Sequence, residues 1–570
     1  MTAEKAARAI PVWVVLPAIL VAVVAAHAAL LHLPYYWDEA GYYIPAAYDF
    51  FRTGALVPYS TLSNAHPPLP SVYLAVWWEV FHFAPVVTRT AMCAVAAVAL
   101  TAVWRLALIT TGKAQVAAAT VLLTGIYPVF FAQSSLAHAD LFAAAGTLWA
   151  LAFFLEGRIW LAAICFSLAA LSKETAIVTP LALAVWEVFR IPTSAIPTSA
   201  KTGQSHSAHL LRRFAQARIW GTRDWWKGRI GSVVALVAPV VPLAGWYAYH
   251  WRKTGFVFGN AEYVRYNATE TLTPVRVLLA LAHRTMHVTA HMNLFVPVAA
   301  MLACLLLPVV KEDSKRASAE SGQIRGTQNV GDSSQLRARI GPGQQAVFYV
   351  TIAANVVFFS LLGGALLTRY LLPVYPLVLL LCVSTFRRRL REWAALVALS
   401  AAAFVAGLFV NPPYRFASED NLEYATVIRL HEAAVAEIVA QMPGATVLTA
   451  WPATDELTKP ELGYVQQPVR VMAIENFSAE QIAKAATLSE DYSAALVFST
   501  KYDPPRLWLS LGKRNEELDA RYFDFHRDLP PGMIARALGG RVVWRAERKG
   551  QWAAVLRFAR TGPSEARQSW

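Results

Sequence analysis

YYWDEAGYY, Tyr35 to Tyr43, follows directly on the first long apolar run of the chain. Two adjacent carboxylates, Asp38 and Glu39, stand among Tyr35, Tyr36, Trp37, Tyr42 and Tyr43. Aromatic clusters of this kind belong to the membrane–water interface. Ionisable groups at the edge of a bilayer are costly and mark function. Acids held at headgroup level can act on a molecule whose tail stays in lipid while its head reaches water.

Outward from this stretch, composition points the same way. Of 570 residues, 56% are hydrophobic and only 15% charged, with a mean hydropathy of +0.39; soluble domains carry about 25% charge. Eleven apolar runs fall at 10–31, 86–109, 114–131, 138–155, 159–173, 175–190, 231–249, 291–310, 346–363, 369–386 and 393–410. Most approach the roughly 17–25 residues a helix needs to cross a bilayer, and helices satisfy their own backbone there. The first run has no well-placed small-residue cleavage site and is read as a retained helix.

The net charge of +14 sits between the runs rather than on a nucleic-acid-binding face. Segment 190–230 holds eight Lys or Arg against one acid, segment 311–345 holds six, and Arg387 to Arg391 reads RRRLR. With a cytoplasmic N-terminus all three lie on the cytoplasmic side, as the positive-inside rule requires. Asp38, Glu39 and everything after the eleventh run then face outward. The loop 191–229 opens on a repeated IPTSA pentapeptide, and 311–345 is rich in Ser, Gly and Gln and is expected to be mobile. Cys93, Cys165, Cys304 and Cys382 are scattered through the runs and read as apolar fillers.

The expected architecture is an α-helical polytopic membrane module, residues 1–410, with a small extracytoplasmic α/β domain, 412–570. There the apolar runs shrink to strand length at 445–451, 469–474 and 493–500, alternating with helical patterns. A hairpin is predicted to turn near Lys549-Gly550.

Further outward residues join the acids. His66 opens HPPLP, whose prolines stiffen the backbone; it is either a cavity-wall residue or loop punctuation. Asp140, at the outer end of the fourth run, is a site group or a helix-end acid. Lys173, in LSKETA, contacts a phosphate or pairs with Glu174. Arg369, followed by Tyr370 in TRYLLPVYP, offers a guanidinium fork suited to phosphate or snorkels to headgroups. His283, His287 and His291 share one face if a single helix carries them, as metal ligands, a cavity stripe or interfacial groups. Arg265 and Arg284 are further outward cations.

Cations that hold an anionic leaving group, beside a carboxylate that takes a proton from an incoming hydroxyl or amine, fit glycosyl transfer from a polyprenyl phosphate sugar. Asp38-Glu39, the HPPL at His66 to Leu69, Asp140, LSKETA around Lys173 and TRYLLPVYP around Arg369 together resemble GT-C glycosyltransferases. The likeness is to the protein O-mannosyltransferase and aminoarabinose-transferase group (families 39 and 83), over essentially the whole chain. It implies an inverting transfer with Asp38 as general base and Glu39 orienting it or binding the sugar. It also implies that Arg369 and Lys173 hold the lipid phosphate, with His66, Asp140 and Tyr370 in the substrate site. No cofactor is implied, and a divalent metal is compatible with the pattern. The acceptor is a lipid, a glycan or a protein in the cell envelope, and the setting is the inner membrane. His66 stands where aminoarabinose transferases show an acidic-basic pair, and the β-trefoil insertion of eukaryotic protein mannosyltransferases is missing. The alternatives are a polyprenyl-linked lipid or sugar transporter, an oligosaccharide polymerase or ligase, and a non-catalytic envelope-assembly protein.

Overall fold

The structure, a computed structural model, describes residues 12–190, 223–259, 261–310, 340–488, 491–504, 513–523 and 525–558. The repeated pentapeptide, most of the basic loop after it and residues 311–339 lie outside the described residues.

Each of the eleven apolar runs is helical over most of its length. Among the described residues four helices are long and apolar enough to cross a membrane: Trp13–Leu30, Pro85–Thr111, Arg229–Thr254 and Pro342–Leu361. The pair Pro274–Asn293 and Phe295–Leu305 makes a fifth if its 100° bend lies within one crossing. Shorter apolar helices such as Ala114–Ile126, Ala139–Leu155, Ile159–Ser172 and Trp393–Phe409 fill out the bundle. Large apolar side chains, including Trp13, Leu122, Trp160, Ile164, Val241 and Leu306, stand exposed on its outside. That is the surface of a multi-pass membrane protein, whose solvent is lipid.

Pro85–Thr111 is the central helix. It packs against Val12–His27, Ala114–Ile126 and Ala139–Leu155. Ala91, Ala96, Ala97, Ala99, Ala102 and Ala107 along it have no exposed surface. Small side chains let helix backbones approach closely where no hydrophobic force drives association.

The third and eighth expected runs are broken, and the tenth opens as a 3-10 turn, Thr368–Leu371, ahead of its helix Tyr375–Arg389. The third divides into Ala114–Ile126 and Pro128–Gln133 at Tyr127, whose ψ of 125° is the extended conformation that a following proline imposes. The eighth does not begin at residue 291. Pro274–Thr289 ends first, and Met292, with φ 47° and ψ 49°, turns the chain before Phe295–Leu305.

Beyond Trp393–Phe409 the pattern changes to a five-stranded sheet. Its strands are β1 (Thr446–Ala450), β2 (Arg470–Ile474), β3 (Ala494–Phe498), β4 (Arg541–Arg548) and β5 (Gln551–Arg557), in the order β2-β1-β3-β5-β4. The first three are parallel, and the β4–β5 hairpin adds antiparallel to β3. β3 is buried along its whole length, as its unbroken apolar sequence requires. The hairpin turns at Lys549 and Gly550, both at positive φ, the pair that a two-residue turn of matching twist needs. Arg541, Arg545 and Arg548 keep the β4 edge charged.

Candidate active site

The stretch that carries the acidic pair is anchored by an arginine. Arg89, at the start of the central helix, is fully buried. Its Nε donates to the Leu33 carbonyl (2.9 Å) and its Nη1 to the Ser135 carbonyl (2.9 Å). Its Nη2 reaches the Pro34 carbonyl, and its two terminal nitrogens meet both oxygens of Glu39, at 3.5 and 3.3 Å. Glu39 also accepts the backbone amides of Ala137 (2.6 Å) and Tyr36 (2.9 Å). A buried arginine with all five N–H groups engaged and a buried carboxylate with four donors are both satisfied. Glu39 therefore faces away from the cavity below, buried against Arg89, while Asp38 beside it points the other way.

Asp38 opens into a cavity of about 1370 Å³. Asp38, His66, Lys173, Arg369, Tyr370 and Glu419 are among its lining residues. Arg369 stands at the centre, only 3% exposed. It pairs with Asp38 through Nη2, with Glu419 through Nη1 (2.7 Å) and with Asp140 through Nε (3.3 Å). Lys173 Nζ donates to Asp140 (2.6 Å) and lies 4.0 Å from the centre of the Tyr370 ring. His66 Nδ1 meets Glu174 Oε2 at 2.8 Å, and its ring stacks 6.0 Å from that of Tyr43.

These contacts correct several expectations. Lys173 pairs with Asp140, not with its neighbour Glu174, which takes His66 instead. Asp140, in the first turn of Ala139–Leu155, serves as helix-end acid and as the bridge between Lys173 and Arg369 at once. The three histidines do not share one helix. His283 and His287 lie on Pro274–Thr289, whereas His291 is past its end and bonds Asp420 (3.0 Å) and the Tyr414 hydroxyl (3.1 Å). Arg265 forms an exposed pair with Glu270, while Arg284 is buried, donating to the Leu367 carbonyl at 2.6 Å. All four cysteines are free.

Glu419 and Asp420 were not singled out from the sequence. Their signal was present: an adjacent acidic pair shortly after an apolar run, as in Asp38-Glu39. Burial, reinforced by Asp38 and Asp420 nearby and opposed by Arg369, pushes the Glu419 carboxyl up to about 8. Burial and the neighbouring carboxylates Asp38, Asp420 and Asp140 together oppose a charge on Glu419 more than the Arg369 guanidinium favours it. Burial also acts to raise Glu174, but contact with His66 and the nearness of Lys173 hold it below the usual carboxylate range. Among the described residues no group of three or more His, Cys, Asp or Glu side chains is arranged to hold a metal ion.

No family model and no curated protein sequence matches the chain. Its fold matches solved structures. ArnT from Cupriavidus metallidurans, bound to undecaprenyl phosphate, aligns over 97% of this chain and 99% of its own, with 15% identity and a TM-score of 0.50. The Archaeoglobus fulgidus oligosaccharyltransferase aligns over 85% of this chain and 69% of its own, with 11% identity and a TM-score of 0.43. The likeness to the first is one of fold, along nearly the whole of both chains.

Proposed function

We propose that this chain of GT-C fold is an integral-membrane glycosyltransferase that moves a sugar from a polyprenyl phosphate donor to an extracytoplasmic lipid, glycan or protein. The carrying observation is the juxtaposition of Asp38 with Arg369 and Lys173 at the wall of one large cavity. Asp38, with its side chain 20% exposed, is the general base. It accepts the proton of the acceptor hydroxyl or amine as the new bond to the anomeric carbon forms. The bond from that carbon to the phosphate oxygen breaks on the opposite face, so the configuration inverts. Arg369 and Lys173 take up the charge that develops on the departing phosphate. Arg369 already bonds Asp38, so an arriving phosphate and the base share one guanidinium and are held in register by it. Asp140 and Tyr370 hold the two cations, His66 on Glu174 lines the same cavity, and Glu39, clamped on Arg89, positions Asp38 from behind. The neighbour of the same fold was solved with undecaprenyl phosphate, the lipid proposed here as carrier.

We place eleven crossings in the membrane, the N-terminus in the cytoplasm, and the cavity and C-terminal sheet outside the inner membrane. Parity supports this. Cavity-lining segments lie at 36–66, 173–177, 243–291, 358–370 and 414–420. An even number of the eleven apolar runs separates each from the next, and such segments share a side.

The test is turnover of purified protein with a panel of radiolabelled polyprenyl phosphate sugars, wild type beside Asp38→Asn. Wild type is expected to release or transfer one sugar, and the variant to be slower by about 10²–10⁴-fold at an unchanged melting temperature. A well-folded wild type inert to every donor would overturn the reading in favour of a transporter or an assembly protein.

A further inference from the structure

The three parallel strands end at the same cavity. Trp451 follows β1, Glu475 and Asn476 follow β2, and Thr500 and Lys501 lie just beyond β3; all five line it. In open α/β sheets, ligands bind outside the carboxyl ends of strands, where strand order reverses. Here β2 lies on one side of β1 and β3 on the other, so the reversal falls at β1 and Trp451 stands at its mouth.

Trp451 is joined to the acidic stretch by close packing. Its ring centre lies 5.1 Å from that of Trp37, edge to face at 75°, and 6.4 Å from that of Tyr42. Gly41 lies against the indole. A Cβ built there would come within 2.6 Å of Trp451 Nε1 and 2.7 Å of Cζ2, so only glycine lets the ring approach. Trp37 holds φ at 47°, a conformation costly for a bulky side chain and found where surrounding structure enforces it at functional positions. Trp37 immediately precedes Asp38, and Asp38 bonds Arg369. An aromatic wall thus stands beside the proposed base and phosphate groups, partly open to the cavity.

We propose that Trp451, with Trp37 and Tyr42, forms the wall against which the sugar carried on the lipid phosphate is held. This rests on the donor reading above and names the residues that read the sugar. A ring presents an electron-rich face, to which the C–H edges of a sugar are complementary, and neighbouring polar groups fix hydroxyls without burying a charge. Arg369 and the three rings line one cavity, so a sugar linked to a phosphate at Arg369 enters the space this wall bounds. Trp451 makes no bond to a reacting atom; it is a positioning and specificity residue.

The experiment measures binding of two probes, undecaprenyl phosphate and an undecaprenyl phosphate sugar that wild type turns over, to the full chain in nanodiscs. Wild type, Trp451→Ala and Trp451→Phe are compared. Trp451→Ala is expected to bind the sugar-bearing lipid about tenfold more weakly while binding the bare lipid phosphate as wild type does. Trp451→Phe restores most of the loss, and the KM for donor rises in Trp451→Ala with little change in kcat. Equal weakening toward both probes, or none toward either, would overturn the wall. Wild type that ignores bare undecaprenyl phosphate would overturn the donor reading itself, and the wall with it.

Discussion

Glu419 shows how a single residue records the electrostatics of the site. Its folded-state value, about 8, lies above the ordinary 4.5, so the folded protein keeps a proton that the unfolded chain has lost across that interval. Stability from this group is therefore fully present below about 4.5 and is lost as pH rises toward about 8. Wild-type melting temperature is expected to fall over this window more steeply than that of Glu419→Gln, whose neutral amide imitates the protonated acid. Parallel slopes, read by thermal unfolding in detergent, would place the extra proton elsewhere. Asp38 and Arg369 were legible as residues because charge at the edge of an apolar run is expensive and stands out. Arg89 and Glu419 carry comparable cost at comparable edges, but which oppositely charged partner each meets depends on contacts 50 residues away in sequence.

At the scale of elements, helix Ala139–Leu155 and helix Ile159–Ser172 hold Asp140 and Lys173 together by touching at Gly146. A Cβ there would lie 2.9 Å from the Ala169 Cβ and 3.0 Å from the Cys165 carbonyl oxygen. Gly146→Val is expected to push the two helices apart and lengthen the 2.6 Å bridge from Lys173 to Asp140. It should lower stability by about 1–3 kcal/mol and cut donor turnover. Melting temperature and turnover measured together decide this, since a variant that keeps both would mean the contact is slack. Helix existence was readable from apolar run length, and the hairpin from its Lys549-Gly550 turn. The break at Tyr127 had a local cause in Pro128. The bend at Met292 has none so visible, which is why three histidines at helical spacing read as one stripe when they are not.

Across the whole molecule, the charge bias between runs and the meeting of five separated segments at one cavity predict the same sidedness. Tyr59, which is 65% exposed, and Glu480, with its side chain 76% exposed, should both face outward. Single cysteines at these positions, in a background lacking the four native ones, are expected to react with an impermeant maleimide in intact spheroplasts. A cysteine at the exposed Arg391 should react only after lysis. Labelling of Arg391→Cys before lysis, or protection of Glu480→Cys, would invert or break the topology.

The sequence by itself determined the solvent, the helical class, the strand-length character of the C-terminal part and most of the polar residues that matter. Lipid forces those choices locally: a run of twenty apolar residues has one stable form there, and a charge beside it must be accounted for. Tertiary structure alone decided the pairings. It turned Glu39 inward onto Arg89, gave His66 to Glu174 and Lys173 to Asp140, brought Glu419 to Arg369, and set Trp451 against Gly41. Pairing energies depend on distance and burial in three dimensions, and a one-dimensional pattern carries neither.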